Sequence, residues 1–80
     1  TRANAPGAFA RRVARALRGG RRWRLIVGHC DARPDAERLL AALRTRLDIR
    51  EDRLVETGAA IDAHAGPGAL IVAVQPVPDG

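Results

Sequence analysis

Trp23-Arg24-Leu25-Ile26-Val27-Gly28-His29-Cys30-Asp31, followed closely by Pro34-Asp35-Ala36-Glu37-Arg38-Leu39-Leu40-Ala41-Ala42-Leu43, decides the fold. The first run is almost continuously apolar and rich in β-formers, which predicts a strand over residues 23–28 covered on both faces, as in a parallel sheet. The second predicts a helix over residues 34–47. Pro34 suits a first helical turn, Asp35 and Glu37 complement the positive end of the dipole, and Arg44 and Arg46 sit near the negative end. Ala36, Leu39, Leu40, Leu43 and Leu47 recur at helical spacing and supply a stripe to bury. A short strand over residues 53–57 completes a strand–helix–strand unit, whose strands should be parallel and joined right-handedly.

Working outward, the charged stretch 48–52 reads as a turn. Upstream, residues 8–18 predict a helix with Phe9, Val13, Ala16 and Leu17 on one face and arginines on the other, stopped by Gly19-Gly20. Downstream, residues 58–63 read as a helical turn or bend, and residues 69–75 as a buried strand ended by Pro76 and Pro78. That last strand returns too soon for a second crossover, so it should be antiparallel to its neighbour. The expected architecture is α/β: a small, mainly parallel sheet with an antiparallel final strand and two flanking helices. Such a sheet has edges that further chain or a partner must cover, or that could drive self-association.

Eighty residues allow one small domain, which buries only about 60–65% of its unfolded surface. A chain starting at Thr1 reads as a piece of something longer, residues 1–80 being a single partial domain. Phe9 and Trp23 are the only residues of the Phe, Trp and Tyr set, so the core must be aliphatic. Every basic side chain is arginine, and the charge is lopsided: residues 1–24 carry eight arginines and no acid, the remainder six arginines against nine acids. The basic start shows no nucleic-acid recognition motif. A solvated face or a docking surface for an acidic partner accounts for it better than phosphate binding. A single cysteine excludes an internal disulfide. The sequence contains neither an apolar run long enough for a membrane span nor a signal-peptide pattern, so a cytoplasmic location is expected.

Three places could carry chemistry. Ala63-His64-Ala65-Gly66-Pro67-Gly68-Ala69-Leu70 sets an imidazole beside two glycines and a proline. Such a stiff loop can present amides and the ring to a carboxylate or phosphate, which makes His64, Gly66 and Gly68 candidate ligand contacts. The bland alternative is a tight turn. His29-Cys30-Asp31 falls at a strand's carboxyl end, where α/β sheets collect ligands. Adjacent residues of an extended segment face opposite sides, however, which disfavours a His29–Cys30 catalytic pair. The spacings match no metal site, and no cofactor motif is present.

Taken together, these pieces resemble the C-terminal part of DegV family proteins. The corresponding segments here are His29-Cys30-Asp31, the helix from Pro34, Glu56-Thr57-Gly58, and Asp62-Ala63-His64-Ala65-Gly66-Pro67-Gly68-Ala69-Leu70. The threonines flanking the family histidine are Ala63 and Ala65 here, and the preceding glycine is Asp62. The resemblance covers roughly residues 8–75 and implies one part of a larger two-domain bacterial fold. It implies a non-catalytic carrier that holds a long-chain fatty acid in an apolar tunnel and presents it to a fatty-acid kinase subunit. On that resemblance His64 lies near the carboxylate and Arg2 matches a family arginine near the head group. Leu25, Val27, Ile61, Leu70 and Val72 could then form an apolar wall. The alternative is a DegV-like regulatory or interaction domain at the end of the kinase subunit, without bound lipid. An enzyme using Cys30 ranks last.

Overall fold

A computed structural model of the chain describes residues 5–17, 20–57 and 68–78. Helix α1 (Ala5–Ala16) is followed by strand β1 (Arg22–His29), helix α2 (Arg33–Arg44), and strands β2 (Asp48–Glu56) and β3 (Leu70–Pro76). The sheet order is β2-β1-β3, with β1 parallel to β2 and antiparallel to β3. The expected α/β class, parallel pair and antiparallel final strand are all present.

Helix α1 starts earlier than its sequence suggests because Pro6 sits within the first turn, where its missing N–H has no intrahelical acceptor to lose. Its inward face is Pro6, Phe9, Ala10, Val13 and Leu17, while Ala16 is exposed rather than facing the core. Helix α2 buries Ala36, Leu39, Leu40 and Leu43. It ends at Arg44 instead of running through Leu47. Thr45 Oγ1 donates to the Ala42 carbonyl (2.7 Å), while Arg46 N–H and Leu47 N–H both donate to the Leu43 carbonyl (3.0 and 2.9 Å). Leu47 still packs against the core from beyond the helix.

The aliphatic core contains Ala10, Leu25, Val27, Ala36, Leu39, Leu40 and Leu43. Helix α2 lies against β1 and β2, and α1 lies against α2. Both helices therefore fall on one side of the sheet. Along β1 the consequence is alternation: Trp23, Leu25 and Val27 are buried, whereas Arg24 is exposed and Ile26 is 45% exposed. The double cover expected for this strand is not provided by the described residues.

Residues 48–52 are strand, not turn. Trp23 pairs with Ile49 and Arg24 with Glu51, so the register shifts and Arg50 is the extra residue of a bulge. An edge strand tolerates this charge density, because charges on an edge discourage pairing with another chain, and each has a partner. Arg24 Nε donates to Glu51 Oε1 (2.9 Å), and Arg50 Nη2 donates to Asp48 Oδ2 (3.0 Å).

A bidentate pair joins the end of α2 to β2: Arg44 Nε donates to Asp52 Oδ2 (2.8 Å) and Nη2 to Oδ1 (2.7 Å). The hydrogen bond from Arg44 holds the Asp52 carboxyl below its ordinary value; partial burial opposes this and the Arg44 charge assists it. A carboxyl lowered in the folded state stabilises the fold above its ordinary pKa, and that contribution fades as pH falls through the folded value. Asp52→Asn should therefore lower the melting temperature by a few degrees at pH 7, as expected for a mostly solvated pair. The gap between variant and wild type should close on acidification below the ordinary aspartate range. Thermal melts followed by circular dichroism across that range check both points, and a gap independent of pH would refute the assignment.

Candidate functional site

Strands β1 and β2 end side by side, so the residues following each meet beyond the carboxyl edge of the sheet, where open α/β sheets bind ligands. His29 is in register with Glu56 on one side and Leu70 on the other. Thr57 donates its backbone N–H (2.8 Å) and its Oγ1 hydroxyl (2.9 Å) to the His29 carbonyl. Cys30 N–H donates to the Ala69 carbonyl (3.0 Å), and Gly68 N–H donates to the Cys30 carbonyl (2.8 Å). Both flanking chains are thus fastened to the end of the central strand.

Gly28 permits this closeness. A Cβ at that position would lie 2.7 Å from Thr57 Cγ2, far inside van der Waals contact. Asp31 then turns the chain toward α2 with a left-handed φ of 49°, a conformation aspartate tolerates better than most residues. Its N–H donates to Glu56 Oε1 (3.2 Å).

His29 is buried, 4% exposed, and its ring builds the same turn. Nδ1 accepts a hydrogen bond from Ala32 N–H (3.0 Å), which satisfies the backbone donor of the N-cap residue itself just ahead of α2. Glu56 Oε2 lies 3.3 Å from the same Nδ1. One nitrogen cannot accept from Ala32 and donate to Glu56 at once. The shorter contact involves a backbone N–H that can only donate, so Nδ1 is the acceptor, the ring proton belongs on Nε2, and the carboxylate is a neighbour rather than a hydrogen-bond partner. Cys30 is also buried, 4% exposed.

The candidate residues divide clearly. His64, Gly66 and Arg2 lie outside the described residues, as does Ile61. Gly68 is described, with φ of 94°, so it does require glycine; its amide is taken by the Cys30 carbonyl. Leu25 and Val27 belong to the core, and Leu70 and Val72 pack against it on the helix side. Of these four only Leu25, itself 2% exposed, also borders the groove on the open side of the sheet. Glu56, Thr57 and Asp31 complete the corner; their signal was the crossover itself, which sets residues just after one parallel strand beside those just after the other. The described surface there carries the exposed carboxylates of Asp31 and Glu56.

The uncovered face of the sheet is the other feature. Ile26 and Ile71 are 45% and 41% exposed. An open groove of about 380 Å³ crosses the three strands there, lined among others by Arg24, Ile26, Glu51, Arg53, Ala73 and Gln75. Among the described residues no helix is long and apolar enough to cross a membrane.

One solved structure is similar across nearly the whole chain. It is the hypothetical protein TM841 from Thermotoga maritima, described as revealing a fatty acid binding function. The TM-score is 0.81 at 22% identity, over 95% of this chain and 28% of that one. The likeness is one of fold, and the chain spans little more than a quarter of that protein's length. No family model and no curated protein matches the chain.

Proposed function

We propose that this chain is a non-catalytic module of a cytoplasmic fatty-acid-binding protein of DegV type. The observation that carries the reading is the shared fold, at TM-score 0.81, with a protein described as binding fatty acid. The exposed apolar face around Ile26 and Ile71 agrees with it, because holding an acyl chain needs apolar area, at roughly 0.8 kcal/mol per buried methylene. On that reading His64 and Gly66 hold the carboxylate end, Gly68 contributes its left-handed turn rather than its amide, and Arg2 serves the head group and the contact with a fatty-acid kinase subunit. The buried settings of His29 and Cys30 support binding rather than catalysis by that pair.

The test is denaturing organic extraction of the purified protein followed by mass spectrometry. Acyl chains should appear in the extract at near-stoichiometric amounts, and His64→Ala should reduce loading about tenfold, the effect of losing one charge-assisted hydrogen bond. A lipid-free extract, together with a stable complex with a kinase subunit, would favour the alternative of a regulatory domain without cargo.

A further inference from the structure

The two edges of the sheet are built differently. Six of the nine residues of β2 are charged, and Arg50 forms a bulge near its start; both features keep a foreign strand off that edge. Strand β3 carries no charged residue, pairs with β1 in unbroken register and is mostly exposed. Val74, on the helix side in register with Leu25, is still 37% exposed, because α2 lies chiefly over β1 and β2.

The direction of the β3 backbone groups follows from the ladder. Val77 N–H donates to the Arg22 carbonyl (2.8 Å) and Cys30 N–H to the Ala69 carbonyl (3.0 Å). Hydrogen-bonded pairs alternate along an antiparallel ladder, so Ile71, Ala73 and Gln75 turn their backbone polar groups toward β1. Leu70, Val72 and Val74 turn theirs outward, to an edge that no described strand occupies. The Thr57 N–H that reaches the His29 carbonyl from the β2 side agrees with the same alternation in β1. Pro76 falls at an outward position, where its missing N–H breaks no bond to β1.

We infer that the outer edge of β3 pairs antiparallel with β3 of a second copy of this chain, about a two-fold axis through Val72 normal to the sheet. In that register Val72 faces Val72 of the second copy and Leu70 faces Val74 of the second copy, each pair exchanging two N–H···O bonds. A pairing centred on Ala73 instead would set each Pro76 ring against an outward Leu70 carbonyl, so the proline fixes the offset. Every facing pair within the ladder is then apolar: Leu70 with Val74 and Val72 with Val72 on the helix side, Ile71 with Ala73 on the open side. The uncharged edge is thus its own complement, with no like charges brought together. A two-fold normal to the sheet also keeps both helix layers on one side. Two three-stranded sheets become one whose outer strands are both β2, so the charged, bulged edges close the assembly at two copies.

The experiment is sedimentation equilibrium of the full chain from micromolar to millimolar concentration. Wild type should approach twice the 8.6 kDa chain mass. Val74→Pro deletes an outward N–H in each copy and sets a ring in the interface without touching the ladder to β1, so association should weaken by roughly a hundredfold. Val74→Thr keeps the N–H and the β-branch and should remain dimeric. Ile26→Lys changes the open face but not the edge and should remain dimeric too. Circular dichroism verifies that each variant is folded. Amide exchange of the wild type needs no variant: Leu70, Val72 and Val74 should gain protection as concentration rises, while Ile71 and Ala73 are protected throughout. A wild type monomeric over the whole range would overturn the proposal. So would a dimer that survives Val74→Pro but is lost in Ile26→Lys, or growth beyond two copies. Cargo is read independently by solvent extraction, so a lipid-loaded monomer refutes the dimer and leaves the binding function standing.

Discussion

Leu39→Ala is expected to lower the melting temperature by at least about 10 °C and to leave a substantial fraction unfolded at 37 °C. Leu39 is fully buried at the centre of the α2 stripe, between the sheet and α1. Truncating such a leucine costs about 2–5 kcal/mol, in lost transfer energy and in the cavity left behind. A domain of this size has only about 4–12 kcal/mol to lose, and each kcal/mol moves its melting temperature by roughly 4–8 °C. The core offers little relief, since its other members are leucine, valine and alanine and none is long and flexible enough to fill the gap. Leu39→Met, which nearly conserves volume, should cost less than about 1.5 kcal/mol. Urea titrations of the three proteins check the prediction. An alanine variant within a few degrees of wild type would mean that α2 does not pack as described.

Gly28→Ala should destabilise the protein by about 1–3 kcal/mol, the usual cost of forcing a methyl into a filled site. The obstacle is specific. The new Cβ would meet Thr57 Cγ2 at 2.7 Å, while Val55 Cγ2 and Ile71 Cβ stand at the ordinary distances of 3.7 and 3.8 Å. Thr57 cannot simply rotate away, because its hydroxyl is held by the His29 carbonyl and a β-branched side chain has few rotamers to choose from. Thr57→Ser keeps that hydroxyl and deletes the offending methyl. The double variant Gly28→Ala/Thr57→Ser should therefore recover most of the loss, and the double-mutant cycle should return a coupling of about 1 kcal/mol or more. A double variant as unstable as Gly28→Ala alone would show that the clash lies elsewhere.

These two sites differ in how visible they were beforehand. The α2 stripe is local: Ala36, Leu39, Leu40 and Leu43 announce their common face by spacing alone. Gly28 needs glycine because Thr57, just past the end of β2, packs against it, a relation that no window of adjacent residues contains. The misreading of residues 48–52 has the same origin. Asp48, Arg50, Glu51 and Asp52 look like a solvated turn until Arg24, Arg44 and the bulge give them partners on an edge strand. The start of α1 is displaced the other way: the apolar spacing begins at residue 8, whereas the helix already includes Pro6 in its first turn.

His29 illustrates the division within the candidate site. As one residue of a tripeptide at a strand end it could be read as base, ligand or core histidine. The contact with Ala32 N–H and the register with Glu56 make it part of the turn into α2. The open face of the sheet is equally a tertiary result, since it depends on both helices choosing the same side.

From its residues alone this chain declared an aliphatic α/β unit, the order of its helices and strands, and a basic first third without counter-charge, because periodicity, turn chemistry and composition act over a few neighbouring positions. Which strand face stays open, which carboxylate stands beside which ring, and which arginines find partners were decided only on folding. Burial and ion pairing depend on groups that the chain brings together from far apart, and their energies exist only once that assembly is made.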